Sequence, residues 1–124
     1  MKSRLILVTM ILLAFAGTVS AHHGSASYDM TKSVTVKGTV TDFQFVNPHV
    51  LIYMDVKDES GNVTKWAGEL TSPNRLVRLG WTKSTLKVGD EVTMTGATSK
   101  SGAPRMWATK VSNASGVLKV GGVD

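Results

Sequence analysis

Hydrophobic and polar positions change rhythm several times along this chain, and each change marks an element. Leu5 to Ala16 is an almost unbroken apolar run. From Val34 the chain alternates, with Val34, Val36, Gly38 and Val40 on one side and Thr35, Lys37, Thr39 and Thr41 on the other. Period two signals a half-buried strand, because successive side chains of extended backbone point to opposite faces. The phase then shifts: Phe43 and Phe45 fall on odd positions, which predicts a bulge or sharp bend near Asp42. Val50 to Lys57 alternates again, with Val50, Ile52, Met54 and Val56 on one face. Asp58 to Asn62, "DESGN", is turn chemistry, and Val63 to Leu70 returns as the partner strand. Pairing Asp55 with Lys65 sets opposite charges across the ladder and brings Met54 to Trp66 and Val50 to Leu70. A slide by two residues sets Lys57 against Lys65 instead, so the first register is preferred.

"TSPNRLVRLGW" predicts a short helix with Ser72 as N-cap, Pro73 at the first helical position and Gly80 just past the end. Leu76 and Leu79 share one face, while Arg75 and Arg78 face solvent. Glu91 to Ala97 alternates, Ser99 to Pro104 is a hairpin loop, and Arg105 to Ser112 is the last long strand. Val117 to Val120 is a further short piece. Three strands, a helix and two strands predict a mainly β fold: a small five-stranded Greek-key barrel of the oligonucleotide/oligosaccharide-binding (OB) type, with one short helix between strands three and four. A β-sandwich competes, but the helix position favours the barrel.

Composition changes the picture at the N-terminus. Lys2 and Arg4 precede the apolar run, and Val19-Ser20-Ala21 offers a small-residue cleavage site, so residues 1–21 read as a signal peptide. The run is shorter than the roughly 18–20 residues that span a bilayer, so no membrane span is expected after cleavage. The expected product is periplasmic or secreted. Residues 22–32 then form a polar N-terminal arm, 33–120 the barrel domain, and 121–124 a loose tail. Without cysteine, no disulfide framework is available and packing must stabilise the domain. The formal charge of +5 falls to +3 once Lys2 and Arg4 leave, too small a surplus for a nucleic-acid footprint.

The candidate chemistry rests on three histidines, His22, His23 and His49. Cleavage after Ala21 makes His22 the new N-terminus. Its α-amine and imidazole Nδ1 then close a chelate ring, and a second imidazole completes a histidine brace. Three nitrogens in a tetragonal arrangement select copper(II). The amine is free only after cleavage, which confines loading to the exported form. His49, in "FVNPHVLIY", is the expected second imidazole. Its odd parity points it away from the core face, opposite Thr71, with Glu69 a diagonal neighbour about 7–8 Å away. Glu69 is either an axial ligand or an acceptor that fixes the His49 tautomer. His23 ranks below the other two, as third ligand, supporting group or idle neighbour. Met54 and Met94 read as core; Met30 and Met106 offer thioethers without a motif spacing. Trp66, Trp81 and Trp107 read as core or barrel-mouth aromatics, and Arg75, Arg78 and Arg105 as a solvated face. Tyr28 either pins the arm to the barrel or sits axial to copper. No nucleophile–base pair, phosphate loop or paired acid carboxylate is present.

"AHHGSASYD", "VNPHVLIYMDVKDESGNVTKWAGE" and "SPNRLVRLGWTKSTLKVGDEVTMTG", with the signal segment, resemble an uncharacterised family of small exported bacterial proteins, a domain of unknown function. That family usually shows Glu-Gly-Gly before its Ser/Thr-Pro-Asn; here Glu69 is kept but Leu70 and Thr71 follow. The resemblance implies export and this fold, and brings no activity.

Three functions compete. The first is an exported copper(II)-binding protein for storage, delivery or protection, with the metal ion and another exported protein as partners. The second is a barrel that grips a saccharide or peptide on the strand-two/strand-three face without metal. The third is a small copper oxidase or oxygenase; the lack of an extended substrate surface in so small a domain argues against an enzyme. For the first, the α-amine, ordinarily near pKa 7.7–8.0, must lose its proton to bind. Copper affinity should therefore rise as pH passes from below to above neutrality, which a competition titration measures.

Overall fold

The computed structural model describes residues 24–121. The expected signal segment, His22, His23 and residues 122–124 of the tail lie outside the described residues. A 3₁₀ turn, Ser25–Ser27, leads into β1 (Tyr28–Gln44). Then come β2 (Leu51–Lys57), β3 (Val63–Glu69), helix α1 (Pro73–Arg78), β4 (Glu91–Ser99), β5 (Arg105–Asn113) and β6 (Gly116–Leu118). The strands join in the order β3-β2-β1-β4-β5-β6, and a further ladder between β3 and β5 returns the sheet on itself. Strands β1, β2, β3, β5 and β4 thus form a closed ring, the OB-like barrel expected, with α1 between its third and fourth strands.

The closing ladder is parallel, pairing Ala67, Gly68 and Glu69 with Arg105, Met106 and Trp107. Strand β5 divides its outer edge between two partners. Its first residues pair with β3, and Val111 to Asn113 pair with β6. Closure leaves no free edge on β1, β2 or β3 over the paired stretch. The β2–β3 register is the one that places Asp55 opposite Lys65 and Met54 opposite Trp66. The bulge near Asp42 is also present, as a register shift between Val40 and Asp42. One extra residue there lets Val40 point inward and then returns Phe43 to the inner side. Inside, Ile52, Met54, Leu76, Met94, Met106 and Val111 are fully buried. Trp81 is also buried, and its indole N–H donates to the Lys119 carbonyl at 2.7 Å, so burial leaves no unpaired donor.

Two expectations need correction. The arm does not run to residue 32: β1 begins at Tyr28, paired with Ser99, and Asp29 pairs with Thr98. Ser33 pairs next, with Ala97, so Met30, Thr31 and Lys32 loop out of the ladder. Asp29 Oδ1 organises this loop, accepting from the Thr31 amide at 3.0 Å and the Thr31 hydroxyl at 2.6 Å. Those bonds hold the Asp29 carboxyl below its ordinary range. Main-chain pairing needs no hydrophobic period, so this part of the strand carries no alternation. The second correction concerns Leu79, which is exposed rather than packed beside buried Leu76. The helix ends in a Schellman turn, with Gly80 N–H donating to Val77 O at 3.0 Å and Trp81 N–H to Leu76 O at 3.0 Å. Gly80 has φ 95°, and Trp81 takes the buried place beyond it. Ser72 caps through its carbonyl, which accepts from Arg75 and Leu76 N–H, rather than through its hydroxyl.

Two buried glycines are required by close approach. A Cβ on Gly96 would run into the Trp107 carbonyl, at the irregularity between β4 and β5. A Cβ on Gly68 would meet the Met94 sulfur. Backbone has less freedom to yield than the end of a Met side chain. Gly96→Ala should therefore lower stability by about 3 kcal/mol, and Gly68→Ala by about 1 kcal/mol. Urea midpoints of the two variants check the order; equal midpoints contradict the packing described.

Candidate functional site

His49 follows the cis Asn47–Pro48 peptide and stands two residues before β2. Its neighbour Val50 is already held to β3's end, donating to Thr71 O at 3.1 Å. Extending the register sets His49 opposite Thr71, with its ring on the outer face that Leu51 and Tyr53 share. On that face Leu51 pairs with Glu69, Glu69 with Trp107, and Trp107 with Ala97, forming one cross-strand row. The row exists because of the parallel closure, which sets Trp107 beside Glu69.

Glu69 joins the parts of this site. Its Oε1 lies 2.7 Å from His49 Nδ1, and its Oε2 accepts the Tyr28 hydroxyl at 2.6 Å. An ionised carboxylate only accepts, so the ring nitrogen facing it must be the donor. Nδ1 therefore carries the proton, and in the neutral ring Nε2 carries the lone pair. The His49 side chain is 28% exposed and that of Glu69 16%, so the histidine stays reachable while its partner is largely covered. Trp107 stands edge-on to His49 with ring centroids 5.3 Å apart and planes at 88°, and its ring lies 6.2 Å from that of Tyr28. The main chain at Gly24 passes close to the Cε1–Nε2 edge of the ring. A Cβ there would sit 2.9 Å from His49 Cε1 and 3.4 Å from Nε2.

Tyr28 is buried, and its pKa is pushed up to about 12. Burial is the main cause, followed by the hydrogen bond to Glu69 and that group's negative charge; the Arg105 guanidinium opposes the shift. The β4–β5 loop grips the chain just ahead of Tyr28. Lys100 N–H donates to Ser27 O at 3.0 Å, and Lys100 Nζ to Ala26 O at 2.8 Å.

Of the residues singled out in the sequence, the fold brings His49 and Glu69 into direct contact, closer than a diagonal pairing requires. His22 and His23 lie outside the described residues. Among the described residues no three His, Cys, Asp or Glu side chains gather as a metal cluster. Tyr28 pins the arm, through Glu69. Met30 is exposed and Met106 fully buried, so they do not form a thioether pair. Trp107 and Gly24 belong to the site and were not singled out for it. For Trp107 a signal existed: it alternates with buried Met106 and Ala108 and so faces outward. For Gly24 there was none.

The chain belongs to the family of unknown function DUF6152, whose model matches residues 10–108. No curated protein sequence matches it. Among solved structures, the mitochondrial single-stranded DNA binding protein Rim1 of S. cerevisiae is similar with a TM-score of 0.50 at 10% identity, over 73% of this chain and 96% of that one. The ZRD-deleted mutant of TiaS in complex with agmatine is similar with a TM-score of 0.50 at 18% identity, over 77% of this chain and 24% of that one. These likenesses carry the fold alone.

The Tyr28 bond has a pH signature. The folded state holds the phenolic proton more tightly than the unfolded chain, whose tyrosine titrates near 10. The contribution is therefore complete below pH 10 and is lost as pH rises through about 12. Tyr28→Phe should lower stability by about 1–3 kcal/mol at neutral pH, the range for a hydrogen bond to a charged group. The gap from wild type should narrow above pH 10, as denaturation curves at stepped pH will show.

Proposed function

We propose that this DUF6152 member is an exported copper(II)-binding protein, holding the ion through the His22 α-amine, the His22 Nδ1 and the His49 Nε2, for storage, delivery or protection. One observation carries the reading. Glu69 holds His49 by Nδ1, which leaves Nε2 as the donor, and the chain at Gly24 is packed against that same side of the ring. Consecutive Cα atoms are 3.8 Å apart, so the Cα of His22 is tethered within about 7.6 Å of that of Gly24. A terminal amine and an imidazole on so short a tether have the reach to meet Nε2.

The donor set suits the ion. Two imidazole nitrogens and an amine favour copper(II) over softer or oxygen-seeking metals. A histidine whose second nitrogen donates to a carboxylate is the usual arrangement for a metal ligand, since the carboxylate fixes the ring and raises its basicity. Both Glu69 oxygens already accept hydrogen bonds, so in this reading Glu69 is the acceptor and not an axial ligand. Tyr28 is likewise committed to Glu69. His23 keeps its lower rank, next to the chelate without being required by it.

The test begins with the intact mass of the exported polypeptide, expected to start at His22 and to gain one copper ion. His22→Ala and His49→Ala should each weaken copper binding by more than the roughly 10–100-fold expected for Glu69→Gln, which disturbs a supporting group. A chain extended by one residue ahead of His22 should lose the chelate signature in electron paramagnetic resonance. A different first residue in the exported chain, or wild-type affinity in both histidine variants, overturns the proposal.

A further inference from the structure

A second feature lies one row along the barrel from His49. On the outer face Asp42 pairs with Tyr53, Tyr53 with Ala67, and Ala67 with Arg105. Ala67 contributes only a methyl between two long neighbours, so the surface dips there into a trough of about 520 Å³. Ala103 and Pro104 of the β4–β5 loop form its far bank, anchored where the Ala67 amide donates to Pro104 O at 3.1 Å. The volume lies within the range of small-ligand sites, roughly 300–1,000 Å³. Ala103 and Arg105 also line a second hollow of about 480 Å³, which reaches Tyr28, Glu69 and Lys100. Two adjoining hollows with a shared arginine wall suit a ligand longer than one ring.

The lining chemistry narrows the class. Tyr53 supplies half-buried aromatic surface to the trough, and its ring face carries negative charge that attracts the polarised C–H groups of a pyranose. Asp42 and Gln44 add planar polar groups; the Gln44 amide donates to Asp42 Oδ2 at 2.8 Å, a single bond that leaves each with spare capacity for hydroxyls. Arg105 and Lys100 supply positive charge at the shared wall and beyond it, and guanidinium binds carboxylate in bidentate fashion. At this row a peptide adding as a strand has no place, because Tyr53 is paired with both Asp42 and Ala67, and Ala67 with both Tyr53 and Arg105. A phosphate-rich strand meets the Asp42 carboxylate in the trough itself.

We infer that the trough and its neighbouring hollow bind an acidic saccharide, with a sugar ring on Tyr53 and a carboxylate on Arg105 and Lys100. This site does not depend on copper. Cellotetraonate, which carries one terminal carboxylate, followed by amide shifts in the exported chain, should move Tyr53, Ala67 and Ala103 saturably and bind more weakly as salt is raised. Cellotetraose should bind about tenfold more weakly, the value of one charge-assisted contact. Tyr53→Ala and Arg105→Gln should each weaken cellotetraonate about tenfold, and Tyr53→Ala should leave copper affinity unchanged. The two variants stand on opposite banks, so a folding defect in one leaves the other as the test. Unmoved amides, equal binding of the two sugars, wild-type binding in both variants, or tighter binding of oligothymidylate at the same amides would overturn the inference.

Discussion

The short parallel ladder between β3 and β5 is the constraint on which the rest depends. It turns a six-stranded sheet into a closed barrel, and by doing so sets Ala67 beside Arg105 and Glu69 beside Trp107. Without that closure His49 and Glu69 would still share the β2–β3 hairpin, but the indole wall and the arginine bank would be elsewhere. Closure also explains why the glycines matter where they do. Gly68 lies within the closing ladder and Gly96 beside Trp107, where strands crowd together and a methyl has no room.

Glu69 then links fold to chemistry. One carboxylate accepts from a residue at the start of β1 and from a histidine ahead of β2, two segments far apart in the chain. The same bonds that fasten the N-terminal segment therefore set the protonated nitrogen of His49. In the copper reading, arm docking and ligand preparation are one event: the chain that brings the terminal amine is held by the carboxylate that frees Nε2. The pairing is economical in polar groups, since no buried side-chain nitrogen or oxygen among the described residues lacks a partner.

The two sites occupy adjacent rows of the same outer face. Moving from Glu69 to Ala67 along β3 is two residues, about 7 Å. Arg105 stands at the junction, facing the Tyr28 hydroxyl and lining both hollows. A small barrel has few faces that are neither core nor crowded by loops. The candidate histidine site and the proposed ligand trough lie side by side, where small Ala67 and the β4–β5 loop leave depth.

Much of the architecture is legible in the sequence alone. Alternation located five strands, the Phe43 and Phe45 phase shift located the bulge, and the Asp55–Lys65 pairing chose the right register, because these are local consequences of a two-residue period and of neighbouring charges. His49 and Glu69 were legible for the same reason: both lie on one hairpin, where parity and register suffice. The start of β1 at Tyr28 was not, since three residues loop out there and main-chain pairing leaves no periodic trace. Neither were the Tyr28–Glu69 bond, the Trp107 edge on His49, nor the Gly24 contact. Each joins segments that only barrel closure brings together, and no spacing along the chain encodes a contact whose distance is set by how the sheet returns upon itself.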